Sequence, residues 1–96
     1  MLEMRPNCER CDADLPADEA GAFICSFECT FCAHCVETVL HNVCPNCGGG
    51  LERRPVRPQA KLAQSPASTE RKHKPVEPEQ QAVLIAKLGA IPPAKR

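Results

Sequence analysis

Apolar residues fall in short islands along this chain. Val36, Val39, Leu40 and Val43 stand at i, i+3, i+4 and i+7, one face of a short helix. Upstream, Ala22-Phe23-Ile24 and Thr30-Phe31-Cys32 read as the strands of a small hairpin. Leu15, Phe23, Ile24, Phe27, Phe31, Val36, Val39, Leu40 and Leu51 are then the expected core. The longest uninterrupted apolar run is only Ala82 to Ala86. It lies in a segment that opens with Pro78 and Glu79 and closes with Lys87 and Gly89, which predicts a short helix over 78–88. Val83, Leu84, Ile85 and Leu88 cover a broad face, so this helix is marginal alone and suits either a frayed tail or a docking element. Gln59 to Val76 has no apolar period at all and is expected to be disordered.

Composition changes the picture. The 96 residues include three Phe, no Trp and no Tyr, too little aromatic mass for burial alone to hold the fold. Eight Cys, all between positions 8 and 47, are the alternative. Seven of the ten Pro lie from 55 onward, so we expect a folded unit over 1–57 and a flexible, Pro-rich basic tail over 58–96. Charge divides at the same place. Residues 1–51 carry two Arg against eight acids, a balance of −6, and residues 52–96 carry ten Lys and Arg against four Glu, a balance of +6. The net charge of zero is a cancellation, and it suggests a tail that folds back on its own domain. The N-terminus has no secretory pattern and no apolar stretch reaches membrane-spanning length, so the expected location is the cytoplasm. In that reducing compartment clustered cysteines favour metal over disulfides.

The cysteine ladder is Cys8-x2-Cys11-x13-Cys25-x3-Cys29-x2-Cys32-x2-Cys35-x8-Cys44-x2-Cys47. Pairs at this spacing let one tight turn present two thiolates to one ion, and eight make two tetrahedral sites with none left over. The expected cofactor is two zinc ions, with an iron–sulfur cluster as the main rival. His34 and His41 lie among the ligands but are expected at the surface, and His73 belongs to the tail.

The ligand order, with Phe31 before Cys32 and Pro45 after Cys44, resembles an all-cysteine RING finger over residues 8–51. The resemblance implies a small zinc-stabilised α+β fold, RING-like or treble-clef. It also implies a cross-brace, with Cys8, Cys11, Cys32 and Cys35 on one ion and Cys25, Cys29, Cys44 and Cys47 on the other. Cys44-Pro45-Asn46-Cys47-Gly48-Gly49 is also similar to a zinc-ribbon knuckle, a competing pairing that would join Cys8 and Cys11 with Cys44 and Cys47 and leave Cys25, Cys29, Cys32 and Cys35 as the second site. Either way each structural zinc supplies roughly 10–16 kcal/mol, and the metal-free domain is expected to be unfolded.

Sites of four cysteines leave no open coordination position, so no catalysis is expected. RING ligases also lack a catalytic residue and dock a partner through an apolar groove. Here Arg10 stands where that groove is usually aliphatic, and Leu40 and His41 are nearest to its usual Trp, although Pro45 is retained. With Leu2-Glu3-Met4-Arg5-Pro6-Asn7-Cys8 and Ile24-Cys25-Ser26-Phe27-Glu28-Cys29-Thr30-Phe31-Cys32, residues 1–58 also resemble a family of small bacterial cysteine-rich proteins, a domain of unknown function. The expected function is a zinc-binding, non-catalytic protein-interaction module. RING-type ubiquitin-ligase-like activity is one alternative. Weak nucleic-acid binding through the basic tail is the other, disfavoured by the lack of stacking aromatics. Neither a membrane nor a small-molecule substrate is expected.

Overall fold

A computed structural model describes residues 1–96. At its centre is a hairpin of β1 (Ala22–Ile24) and β2 (Thr30–Cys32), with Phe23 opposite Phe31 and Ile24 opposite Thr30. β3 (Glu52–Arg53) pairs on the far side of β1, giving the antiparallel order β2-β1-β3. The predicted hairpin is therefore present. Its turn runs through Ser26 to Glu28, where Glu28 adopts a positive φ of 64° and donates its N–H to the Cys25 carbonyl at 3.0 Å. This geometry turns Phe27 out of the core. It is 70% exposed, against the expectation that it is buried.

The helix expected from the apolar period starts earlier and ends earlier than its pattern. One α-helical turn, α1 (Ala33–Cys35), passes directly into a π-helical turn, Val36–Leu40. His41 and Asn42 follow in the left-handed region and end it, so Val43 reaches the core from a loop. The wider π turn still buries Val36 and Leu40 beside Phe31, Leu15 and Leu51. The core is otherwise largely cysteine: Cys8, Cys25, Cys29, Cys35 and Cys44 belong to it.

The second half corrects the sequence reading most. Residues 58–96 are not a disordered tail but a strap wrapped around the domain. A radius of gyration of 13.5 Å is that of a packed chain of this length, for which about 13 Å per hundred residues is typical. The short helix α2 (Gln59–Leu62) is followed by an extended run along the N-terminal segment. Ser68 N–H donates to the Glu3 carbonyl (3.0 Å) and Lys74 N–H to the Glu9 carbonyl (2.7 Å), while Val76 packs on the core. The predicted helix is observed as α3 (Pro78–Leu88), ending at Gly89. It lies against the π turn, where buried Gln81 donates to the carbonyls of Leu40 (3.3 Å) and Val43 (3.0 Å). Leu84, Ile85 and Leu88 are half-buried, and Val83 alone of its large apolar residues is strongly exposed. A final 3-10 turn, Pro93–Lys95, brings Arg96 onto the carbonyls of Asn42 and Gly48, both at 3.0 Å. These contacts are mostly side chain to main chain, which is why an apolar pattern did not reveal them.

Candidate metal centres

Two cysteine pairs form the same knuckle. Cys8 accepts from Asp12 N–H (2.9 Å) and donates to the Ala13 carbonyl (2.8 Å). Cys44 accepts from Gly48 N–H and donates to the Gly49 carbonyl, both at 2.8 Å. Each knuckle requires a left-handed residue four places after its first cysteine, Asp12 at φ 64° and Gly48 at φ 77°. Aspartate tolerates that region better than most side chains, and glycine enters it freely. The other four cysteines sit on the hairpin and the turn after it. Cys25 and Cys29 flank the β1–β2 turn, whereas Cys32 ends β2 and Cys35 ends α1. Cys29 and Cys32 are three extended residue steps apart, about 10 Å at the usual rise. That spacing directs the two pairs to different sites. Glu9 N–H donates to the Thr30 carbonyl at 2.9 Å and docks the first knuckle beside β2.

The resulting groups interleave along the chain. The sulfurs of Cys8, Cys11, Cys32 and Cys35 all lie within 4.8 Å of one another, and so do those of Cys25, Cys44 and Cys47. Cys29 falls outside that 4.8 Å set but stands beside it, its main-chain carbonyl accepting from Cys25 N–H at 3.2 Å across the β1–β2 turn. The ribbon-type alternative, Cys8 and Cys11 with Cys44 and Cys47, is not what the fold assembles. In the first group Cys8 and Cys35 approach to 3.7 Å, as do Cys11 and Cys32. Four sulfurs about 2.3 Å from one tetrahedral ion stand about 3.8 Å apart. The spacing therefore fits a single ion, while a multi-iron core holds its thiolates farther apart.

The surroundings also fit thiolates. Phe27 N–H points at Cys25 Sγ and Gly49 N–H at Cys47 Sγ, both at 3.4 Å. Arg10 Nη1 lies 3.5 Å from Cys35 Sγ. Arg10 thus stands over the first site and offsets its negative charge, a role its position between Cys8 and Cys11 did not announce. Asn46 links the second site outward. It donates to the buried Glu9 carboxylate, which faces Arg5 at 3.9 Å. As free thiols, Cys29, Cys35 and Cys44 are pushed above the ordinary thiol range, chiefly by burial. Arg10 opposes this at Cys35, and the main chain of Asn46 and Cys47 opposes it at Cys44. Such thiols ionise when a cation is there to receive them.

Exposure differs within each group. Cys8 and Cys35 are fully buried, Cys32 is half-buried and Cys11 is exposed; in the second, Cys47 alone is exposed. His34 and His41 are at the surface as expected. His73 is not idle, because its Nε2 meets the Arg10 carbonyl at 3.1 Å. Four arginines of the basic half, Arg54, Arg57, Arg71 and Arg96, are also engaged through their side chains. Buried Arg54 donates to the carbonyls of Arg5 (2.8 Å) and Leu15 (3.0 Å), and Arg71 pairs with Asp12 and Asp14. No helix is long and apolar enough to cross a membrane.

A model of the family described as "Protein of unknown function (DUF1272)" matches residues 1–57, and the chain belongs to that family. An uncharacterised protein of Rhizobium meliloti (strain 1021) is 64% identical over 75 residues, which cover 78% of this chain and 89% of that protein. The similarity therefore runs past the cysteine domain into the strap. No solved structure matches the chain.

Proposed function

We propose that this chain is a cytoplasmic zinc protein whose two ions cross-brace a RING-like domain. Cys8, Cys11, Cys32 and Cys35 hold the first, and Cys25, Cys29, Cys44 and Cys47 the second. The observation that carries this reading is the 3.7 Å spacing of paired sulfurs inside a four-cysteine group drawn from the N-terminal knuckle and from the end of β2 and the turn after it. Zinc suits four soft thiolates in a tetrahedron and supplies the folding energy that three Phe cannot. Four protein ligands leave no position for water, so the ions are structural and the chain is not an enzyme. Its function is then that of a protein-interaction module.

Arg10 counts against a ligase-type groove, because its guanidinium is turned onto Cys35. The engagement of Arg54, Arg57 and Arg71 within the chain counts against the tail as a phosphate-binding arm. Native mass spectrometry with elemental analysis tests the reading. Two zincs per chain, with all eight cysteines resistant to alkylation until a chelator is added, is the expected result. One zinc, iron, or intramolecular disulfides in the freshly purified protein would overturn it.

A further inference from the structure

The strap and the first cysteine group share one surface. Residues 71–74 run along the knuckle that carries Cys8 and Cys11. Arg71 reaches Asp12 and Asp14, the Lys72 carbonyl accepts from Asn7 Nδ2 (2.9 Å), His73 meets Arg10, and Lys74 N–H reaches Glu9. Every knuckle residue in these contacts lies between positions 7 and 14, and Asn7 and Asp14 also form a bridge across its base. The strap's grip therefore depends on the shape of the first knuckle.

The first site, which that knuckle helps to form, also holds the most accessible pair of thiols. Cys11 is exposed, and its neighbour Cys32, 3.7 Å away, is half-buried. Cys47 is exposed too, but every cysteine around it is buried. We propose that Cys11 and Cys32 form a peroxide-reactive dithiol, and that their oxidation empties the first site and releases the strap. This rests on the zinc reading above.

The chemistry balances with hydrogen peroxide as the two-electron oxidant. The Cys11 thiolate attacks one peroxide oxygen, the O–O bond breaks, and a sulfenic acid and hydroxide result. The Cys32 thiolate then attacks the Cys11 sulfur, forming the S–S bond and expelling a second hydroxide. Solvent protonates both hydroxides. The ion loses two of its four thiolates and departs, because Cys8 and Cys35 alone do not complete a tetrahedron. A disulfide draws the two sulfurs to about 2.0 Å, so the knuckle shifts under the strap.

The experiment titrates the zinc-loaded full chain with hydrogen peroxide. Released zinc is followed with a chromogenic chelator, disulfides by peptide mapping, and amide protection by hydrogen exchange. When one zinc has left, the expected state has a Cys11–Cys32 disulfide and unmodified cysteines in the second group. Exchange at Ser68 and Lys74 rises about tenfold, in the range of ordinary coupling energies, while β1 and β2 stay protected. Dithiothreitol with added zinc restores the strap. A first disulfide containing Cys47, or a Cys11–Cys32 disulfide with strap protection unchanged, overturns the inference. Coupling between the two equilibria is reciprocal, so Arg71→Ala, which alters no cysteine, should shift the Cys11–Cys32 thiol–disulfide equilibrium about threefold or more toward the disulfide in a glutathione titration, and an unchanged equilibrium would contradict it. A chain that holds no zinc before peroxide is added fails the underlying reading at that step and takes this inference with it.

Discussion

Arg71 closes on Asp12 through two oxygens at once, the main-chain carbonyl at 2.8 Å and the carboxylate Oδ1 at 2.9 Å. The +6 half of the chain meets the −6 half at this point, across 59 residues of sequence. Both side chains are about two-fifths exposed, so the pair is screened by salt. Arg71→Ala should change global stability by less than about 1 kcal/mol. It should nonetheless accelerate proteolysis between α2 and α3, as should high salt on the unaltered chain. A cleavage rate indifferent to both would show that charge does not hold the strap.

Gln81 anchors α3. Its buried amide is the partner of the Leu40 and Val43 carbonyls where the π turn ends. Gln81→Ala leaves two buried acceptors without a donor, a cost of about 1–3 kcal/mol to docking of the helix. Hydrogen exchange in α3 should rise by a factor of about ten or more while the metal content stays at two. Exchange equal to that of the unaltered chain would mean that the half-buried Leu84, Ile85 and Leu88 suffice.

Gly48 is constrained twice. It holds φ 77°, and a Cβ there would stand 2.8 Å from Leu88 Cδ1. Gly48→Ala should therefore strain the second knuckle and force the Leu88 side chain to turn away from it, lowering stability by about 1–3 kcal/mol in chelator-free thermal melts. Restored stability in Gly48→Ala with Leu88→Ala would assign the loss to the clash, and no restoration would assign it to the backbone.

These positions show what the sequence could and could not reveal. The two cysteine groups were legible because tetrahedral metal chemistry, which their spacing suits, sets how far apart paired cysteines stand along a chain. α3 was legible at its full extent because Pro78 and Gly89 mark its ends. Phe27 misled because its apolarity says nothing of a turn built on Glu28 in the left-handed region. The π turn was hidden because its apolar residues keep a helical period, while the early stop depends on the backbone of His41 and Asn42. The strap was the largest loss. Arg57, Lys74, Gln81 and Arg96 dock through main-chain oxygens, and such contacts leave no compositional trace. The charge division between the halves was the one visible sign of it.

Zinc loading should release protons. As free thiols, Cys35 and Cys44 are held above the ordinary range by burial, so they keep their protons through neutral pH and the ion must displace them. Affinity therefore rises with pH and falls on acidification. More than one proton per site gives more than about tenfold in apparent affinity per pH unit near neutrality. Competition against a chelator of known proton affinity measures this slope, and a flat profile would contradict thiolate ligation.

The central claim is that two ions cross-brace the domain with interleaved ligands. Cadmium substitution followed by metal–proton correlation NMR reads the pairing directly, because each cadmium couples only to the β-protons of its own cysteines. One cadmium should correlate with Cys8, Cys11, Cys32 and Cys35. The other should correlate with Cys25, Cys44 and Cys47 and also with Cys29, which stands beside that group. A cadmium correlated with Cys25, Cys29, Cys32 and Cys35 together would contradict the account.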